Sequence, residues 1–169
     1  PAAYCGVYGY KPTFGLVPRT GILDQSRLLD QVGVIARSIE DLAIVCEPLI
    51  GYDEGDPATK PIARPNLREV ALQEPPRPPR FAFTKTPNWG EAEEQTRLAF
   101  EKVTQALGSQ SLPFSVPSAF HDAWQWHATV MEADMARGFH QEYERGREQL
   151  SESLRAQIER GRRVSAVDY

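Results

Sequence analysis

Residues 1–21 read PAAYCGVYGYKPTFGLVPRTG and carry the clearest structural signal of this chain. They hold four glycines, three prolines and four aromatic side chains. This density of chain breakers argues against a helix, and Val7, Tyr8 and Tyr10 favour a strand between the glycines. A strand that is interrupted by glycines and closed by prolines predicts a chain that wraps tightly around a neighbouring element.

The pattern P-A-A-x-C-G-V-x-G-x-K-P-T-F-G-x-V-P-R-x-G over Pro1–Gly21 resembles the segment behind the nucleophile loop of the amidase signature family. In that family the serine nucleophile lies in a Gly-Gly-Ser-aliphatic-Arg-x-Pro run. Pro1 and Ala2 match the end of this run. The resemblance therefore implies that the serine lies four residues before position 1, and that the chain is a fragment of a longer protein.

Three later blocks extend the resemblance to about residue 60. They are Leu29-Asp30-x-Val32-Gly33, then Ala36-Arg37-Ser38-Ile39-Glu40-Asp41, then Gly51-Tyr52-Asp53-x-x-Asp56-Pro57. Leu16 and Val34 depart from the arginine and proline that are common in the family, and these departures favour a stand-alone amidase.

The resemblance implies an α/β fold, a partial amidase signature domain with a mixed β-sheet flanked by helices. Its expected parts are post-nucleophile strands and a helix in 1–51, a proline-rich connection in 52–80, and a β-α-β unit with long helices in 81–169. The predicted β-α-β unit comprises a strand near 80–84, a helix over 91–107 and a strand near 112–116, with the two strands parallel.

The family carries out acyl transfer with two serines and a lysine, and a glycine-rich loop supplies the oxyanion hole. By resemblance all of these groups lie upstream of Pro1. The resemblance thus implies an amidase that hydrolyses a carboxamide to a carboxylic acid and ammonia or an amine, with no catalytic residue in this chain. Two alternatives remain: the glutamine-hydrolysing subunit of a tRNA-dependent amidotransferase, and a non-catalytic family-derived domain.

The residues of this chain do not form a second catalytic set. Ser26 and Ser38 lie in no Gly-x-Ser-x-Gly elbow, and Lys11 occupies the Lys-Pro-Thr run, which the resemblance treats as structural. Glu132 and Asp134 are two residues apart on a predicted helix, so they point to different faces. The sequence leaves the substrate-binding residues unknown.

Histidines and aromatic residues of the C-terminal half are the candidates for metal ligands and pocket walls. The histidines are spaced by six and thirteen residues, whereas metal pairs on a helix are spaced by three or four, so no metal site is predicted. A long helix over 119–147 carries an apolar stripe for which core packing is favoured over a substrate pocket. In the family the corresponding helix lies near the substrate-binding side, so the resemblance implies four pocket-wall candidates, Trp124, Trp126, Met131 and Phe139.

Local signals predict two further helices. Ser38 and Asp41 form a capping-box start, and the apolar spacing behind them predicts a buried helix that ends near Pro48 and Gly51. The residues expected on its apolar face are Ile39, Leu42, Ala43, Cys46, Leu49 and Ile50. Arginines and glutamates are interleaved over 151–163, which indicates a solvated helix with ion pairs.

Composition limits the partners. The net charge of −4 and the pI of about 5.4 argue against a nucleic-acid surface, and no run of residues is apolar enough for a membrane span. Cys5 and Cys46 have apolar neighbours and predict buried free thiols in a reducing compartment, hence the cytoplasm. We expect a small-molecule amide substrate, no cofactor and a possible homodimer.

Overall fold

The structure, a computed structural model, describes residues 1–169 and contains four short strands and six α-helices. The strands are β1 (Tyr8–Tyr10), β2 (Val34–Ala36), β3 (Phe81–Thr84) and β4 (Ser111–Phe114). The helices are α1 (Ile39–Leu49), α2 (Leu67–Ala71), α3 (Glu94–Leu107), α4 (Ala123–Gly138), α5 (His140–Gly146) and α6 (Glu152–Gly161). Short 3₁₀ turns connect several of them, and no helix is both long and apolar enough to cross a membrane.

The chain divides into two units. The first comprises residues 1–74 and 129–169, and the second comprises residues 75–128, so the boundary falls within α4. In the first unit β1 pairs antiparallel with β2, and in the second β3 pairs parallel with β4. The mixed α/β class is therefore confirmed, with its strands arranged in two separate two-stranded sheets.

The second unit confirms the predicted β-α-β arrangement. Helix α3 connects β3 to its parallel neighbour β4, and its first turn begins at Glu94, three residues later than expected. Residues 87–91 form a 3₁₀ turn instead, and its Trp89 packs edge-on against Phe83 and Phe100. None of the residues of this unit is buried.

The first unit holds two apolar clusters. One joins α1 to the chain around Val17 and Val34 through Leu42, Cys46 and Ile50. The other joins α4, α5 and α6 through Met135, Phe139, Tyr143 and Ile158. The buried residues of the chain thus lie in this unit, and its loops are held by those clusters.

Helix α1 begins as predicted. Ser38 Oγ accepts the N–H of Asp41 at 3.0 Å, which satisfies one of the unpaired donors of the first turn. The helix is ended by its C-cap residue Ile50, which has an extended conformation. Gly51 does not adopt the left-handed conformation of a helix-terminating glycine, and its N–H donates to the carbonyl of Leu16 at 3.1 Å.

Two predictions about exposure were wrong. Of the two cysteines predicted to be buried, Cys46 is buried, and its burial raises the pKa of the thiol. Cys5 is exposed, because it lies in a 3₁₀ turn over Ala3–Cys5 that is closed by Gly6 in the left-handed conformation. The buried face of α1 consists of Leu42, Ala43 and Cys46. Two residues expected on that face are about half exposed, namely Ile39 and Leu49.

The single long helix expected over 119–147 is interrupted. Residues 118–122 form a 3₁₀ turn, and Phe139 separates α4 from α5 with φ −91° and ψ 16°. At the end of α4, Gly138 packs against the backbone of Asp24 and Gln25. A Cβ at Gly138 would lie 2.2 Å from the Asp24 carbonyl oxygen. The apolar spacing continues across the break, so the sequence pattern alone does not reveal it.

Part of the proline-rich segment is folded. Residues 53–59 form turns that are hydrogen-bonded to Arg19 through Asp56. Asn66 caps α2, and this helix packs against α1. Residues 72–80 are exposed and contain no helix or strand, as expected for a connection.

Candidate functional site

Glycines allow the N-terminal segment to pack closely on its neighbours. Gly15 has a φ of +78°, and a Cβ at this position would lie 2.3 Å from the carbonyl oxygen of Ala58. Gly33 directly precedes β2 beside the end of β1, and a Cβ there would approach the Tyr10 carbonyl oxygen to 2.8 Å. Because only glycine fits such contacts, the segment wraps around residues 31–36 and 53–59, as its sequence predicts.

Arg19 is the centre of this arrangement. Its Nε and Nη2 donate to the two carboxylate oxygens of Asp56 at 3.0 and 2.9 Å, and its backbone N–H donates to the same carboxylate at 2.9 Å. Its Nη1 donates to the carbonyl of Arg27 at 2.7 Å. The guanidinium also lies over the Phe14 ring, 4.7 Å from the ring centre. One side chain therefore ties three loops together.

The Arg19–Asp56 pair is shielded from solvent. The Asp56 side chain is 4% exposed and that of Arg19 is 16% exposed. The Arg19 hydrogen bond holds the pKa of Asp56 far below its ordinary range, assisted by backbone N–H groups of Ala58 and Arg19. A bidentate arginine–carboxylate pair of this kind fixes geometry as well as charge.

A cavity of about 200 Å³ opens beside this pair. Its charged groups are all bound: Arg19 binds Asp56, Arg27 Nε donates to Asp24 at 2.8 Å, and the Asp30 carboxylate accepts backbone N–H groups. Exposed side chains of Ile22 and Leu23 line part of it. Together with the charged residues and Thr20, these side chains give the cavity a mixed polar and apolar lining that can support or shape a site.

The serines and the lysine singled out from the sequence have structural partners. Lys11 Nζ donates to Gln31 Oε1 at 2.7 Å on the surface. Ser38 caps α1, and Ser26 Oγ donates to the Asp134 carboxylate at 2.6 Å in a buried position. These contacts account for all three side chains without a catalytic role, and the absence of a catalytic residue stays a prediction.

The acidic residues of α4 point to different faces. Glu132 accepts two hydrogen bonds from Arg160, and Asp134 accepts one from Ser26 and one from Tyr169. The bond to Asp134 raises the pKa of Tyr169. No cluster of three potential metal ligands occurs in the structure.

The pocket-wall candidates separate into two groups. Phe139 is 6% exposed and belongs to the core, and Met131 packs at the edge of that core. Trp124 and Trp126 are 63% and 53% exposed, so core packing was the wrong prediction for both. Trp124 contacts the ring of His127 edge-on.

The residues that organise this region were not singled out from the sequence. Arg19 and Asp56 both fall in the blocks that carry the family resemblance, and this was the available signal for their importance. Asp134 gave no comparable signal, since its partner Ser26 lies 108 residues away in the chain.

The sequence matches the amidase family over residues 1–167. Among curated relatives it is similar to a glutamyl-tRNA(Gln) amidotransferase subunit of Lysinibacillus sphaericus, with 38% identity over 120 residues, 69% of this chain and 24% of that protein. The corresponding protein of Wolbachia pipientis is 54% identical over 56 residues, 33% of this chain and 12% of that protein. The chain thus spans about a quarter or less of the length of these relatives.

Solved structures share its fold. A 6-aminohexanoate cyclic dimer hydrolase complexed with substrate matches 99% of this chain and 38% of its own, with a TM-score of 0.77 and 21% identity. A protein of a vestigial complex related to an s-triazine catabolic enzyme matches 98% of this chain and 35% of its own, with a TM-score of 0.83 and 20% identity. With the family match over nearly its whole length, this chain belongs to the amidase family.

Proposed function

We propose that this chain is part of an amidase that hydrolyses a linear carboxamide to a carboxylic acid and ammonia or an amine. The observation that carries the proposal is the family match over residues 1–167. The catalytic serine, its partner serine and the lysine lie upstream of Pro1 in this proposal, so the chain has no activity alone.

In the proposed reaction the serine oxygen attacks the amide carbonyl and loses its proton to the second serine and the lysine. The carbon–nitrogen bond then breaks, the nitrogen takes up the proton, and an acyl-serine remains. Water attacks this ester, the acid leaves and the serine regains its proton. Backbone N–H groups of the glycine-rich loop stabilise the oxyanion in both steps.

The contribution of this chain in the proposal is support for the nucleophile loop. The resemblance puts Pro1–Gly21 directly behind that loop, and acyl transfer requires the reacting groups to be held within about 0.5 Å. The Arg19–Asp56 pair and the close glycine contacts bind the segment to its neighbours, which supports this role. The substrate is a small-molecule amide, with no cofactor and no nucleic acid or membrane partner. A homodimer and a cytoplasmic location belong to the same proposal.

Ammonia release tests this function. We expect the full-length protein to release ammonia from simple aliphatic or aromatic amides, and the 169-residue chain to release none above the blank. The matched control is the full-length protein with alanine in place of the serine of the Gly-Gly-Ser run. Release by the chain alone, or equal release by the alanine variant, contradicts the proposal.

A second candidate is the glutamine-hydrolysing subunit of a tRNA-dependent amidotransferase. Its support is the similarity to the Lysinibacillus sphaericus amidotransferase protein. Leu16 and Val34 depart from the common family pattern and favour the stand-alone amidase. Comparing glutamine with simple amides as substrates of the full-length protein separates the two, because this candidate requires ammonia release from glutamine. A protein that hydrolyses neither supports the non-catalytic alternative.

A further inference from the structure

A buried carboxylate of α4 binds the loop formed by residues 22–30. Asp134 is 7% exposed, and its Oδ2 accepts the hydroxyl of Ser26 at 2.6 Å. Its Oδ1 accepts the hydroxyl of Tyr169 at 3.0 Å. No ion pair of the structure involves Asp134, so neutral hydroxyl groups are the donors that stabilise this carboxylate. Its partner Ser26 is also buried, with 2% of its surface exposed.

Ser26 links the Asp134 carboxylate to the backbone of the loop. While its hydroxyl donates to Asp134, the same oxygen accepts the N–H of Leu29 at 3.2 Å. The carboxylate of Asp30 closes the turn by accepting the N–H groups of Gln25 and Ser26 at 2.8 and 2.9 Å. The Ser26 hydroxyl therefore connects the Asp134 carboxylate to the backbone of the loop.

The same face of α4 touches the loop directly. Gly138 lies one helical turn after Asp134, and a Cβ at Gly138 would lie only 2.2 Å from the Asp24 carbonyl oxygen. Arg19 also binds this loop, because its Nη1 donates to the carbonyls of Arg27 and Asp30 at 2.7 and 3.4 Å. The loop is thus fixed between α4 and the Arg19 segment.

We propose that Asp134 is a positioning residue: through Ser26 it fixes the loop 22–30, and through that loop it supports the Arg19 segment behind the nucleophile. The statement about the nucleophile rests on the proposed function. The statement about the loop rests only on the contacts described above.

The test uses the full-length protein with Asp134→Asn, Ser26→Ala and the double variant. Glu132→Gln is the matched control, because Glu132 lies on the same helix but binds Arg160 instead of the loop. We expect the amide hydrogens of residues 25–30 to exchange about tenfold faster in Asp134→Asn and in Ser26→Ala than in the wild type. The double variant exchanges no faster than Ser26→Ala, since the contact between Ser26 and Asp134 is already lost in that single variant. Glu132→Gln leaves this exchange unchanged.

The kinetic readout separates positioning from general destabilisation. We expect kcat for amide hydrolysis to fall about tenfold in Asp134→Asn while KM stays within about twofold, because the loop supports the nucleophile segment and not the substrate. Unchanged exchange in residues 25–30, or a kcat equal to that of Glu132→Gln, contradicts the proposal. If Asp134→Asn does not fold, Ser26→Ala decides by the same criteria. If the wild-type protein hydrolyses no amide, the proposed function fails and the exchange of the loop alone decides the role of Asp134.

Discussion

At the residue scale, two arginine–aspartate ion pairs of this chain differ greatly in their exposure to solvent. Arg19 and Asp56 are both shielded from water, whereas the side chains of Arg27 and Asp24 are 68% and 42% exposed. Exposed pairs contribute little because water and salt screen them, while removal of one partner of a buried pair leaves the other charge uncompensated. The loops around Arg19 therefore depend on the buried pair.

Asp56→Asn tests this dependence. At pH 7 we expect the free energy of unfolding to fall by about 3 kcal/mol, because Arg19 stays buried without its counter-charge. Asp24→Asn is the control, with an expected change below about 0.5 kcal/mol. Denaturant titrations of the two variants and the wild type measure both values, and equal midpoints for the two variants contradict the prediction.

The contribution of Asp56 also has a predictable pH dependence. Its pKa is lower in the folded than in the unfolded chain, so its stabilising effect is complete above the ordinary aspartate pKa of about 3.9. The effect declines as the pH falls below that value, because the unfolded state then binds a proton that the folded state does not. We expect the stability gap between wild type and Asp56→Asn to narrow steadily from pH 4 downward in denaturant titrations. A gap that is unchanged at pH 3 contradicts the prediction.

At the element scale, the charged helix α6 illustrates what sequence patterns can and cannot predict. Interleaved arginines and glutamates predicted a solvated helix with ion pairs. The ion pairs are present, but the helix is not solvated as predicted, because α6 buries Ile158 and Gly161 against its neighbours. Two of the pairs connect it to other helices: Arg160 binds Glu132 of α4, and Glu159 binds Arg147, just beyond the end of α5. The pattern predicts exposed charges, but the partner of each charge depends on how the helices pack.

Close packing of α6 on α4 can be tested at Gly161. A Cβ there would lie 1.8 Å from the carbonyl oxygen of Glu132, and the obstacle is backbone, which cannot move aside. We expect Gly161→Ala to lower the free energy of unfolding by at least about 2 kcal/mol. Gly146→Ala is a matched control at the end of α5, where the nearest atoms are 3.7 Å away on a flexible glutamine. Similar melting temperatures for the two variants contradict the prediction.

At the scale of the whole molecule, the two units differ in burial. The buried apolar residues lie in residues 1–74 and 129–169, whereas residues 75–128 have none, and their Trp89, Phe83 and Phe100 form only a partly exposed ring cluster. Local opening is easier where few apolar contacts must be broken. We therefore expect the second unit to be the less stable part of this chain.

Hydrogen exchange of the 169-residue chain tests this difference. We expect the amides of α1 and of the α4–α6 segment within residues 131–161 to exchange at least about tenfold more slowly than those of α3. Helix α3 is longer than α1, so helix length alone predicts the opposite order. Equal protection of α1 and α3 contradicts the prediction.

The sequence by itself determined the family, the strand character of residues 8–10, the cap at Ser38 and the β-α-β unit. These features depend on local spacing and on motifs that can be recognised along the chain. Only the tertiary structure decided the break at Phe139, the folding of residues 53–59 and the exposure of Trp124. It also decided the two contacts that organise the candidate site, Arg19 with Asp56 and Ser26 with Asp134, whose partners are 37 and 108 residues apart. Hydrogen-bond partners are set by the path of the folded backbone, and no periodicity of the sequence encodes which distant carboxylate that path brings within about 3 Å.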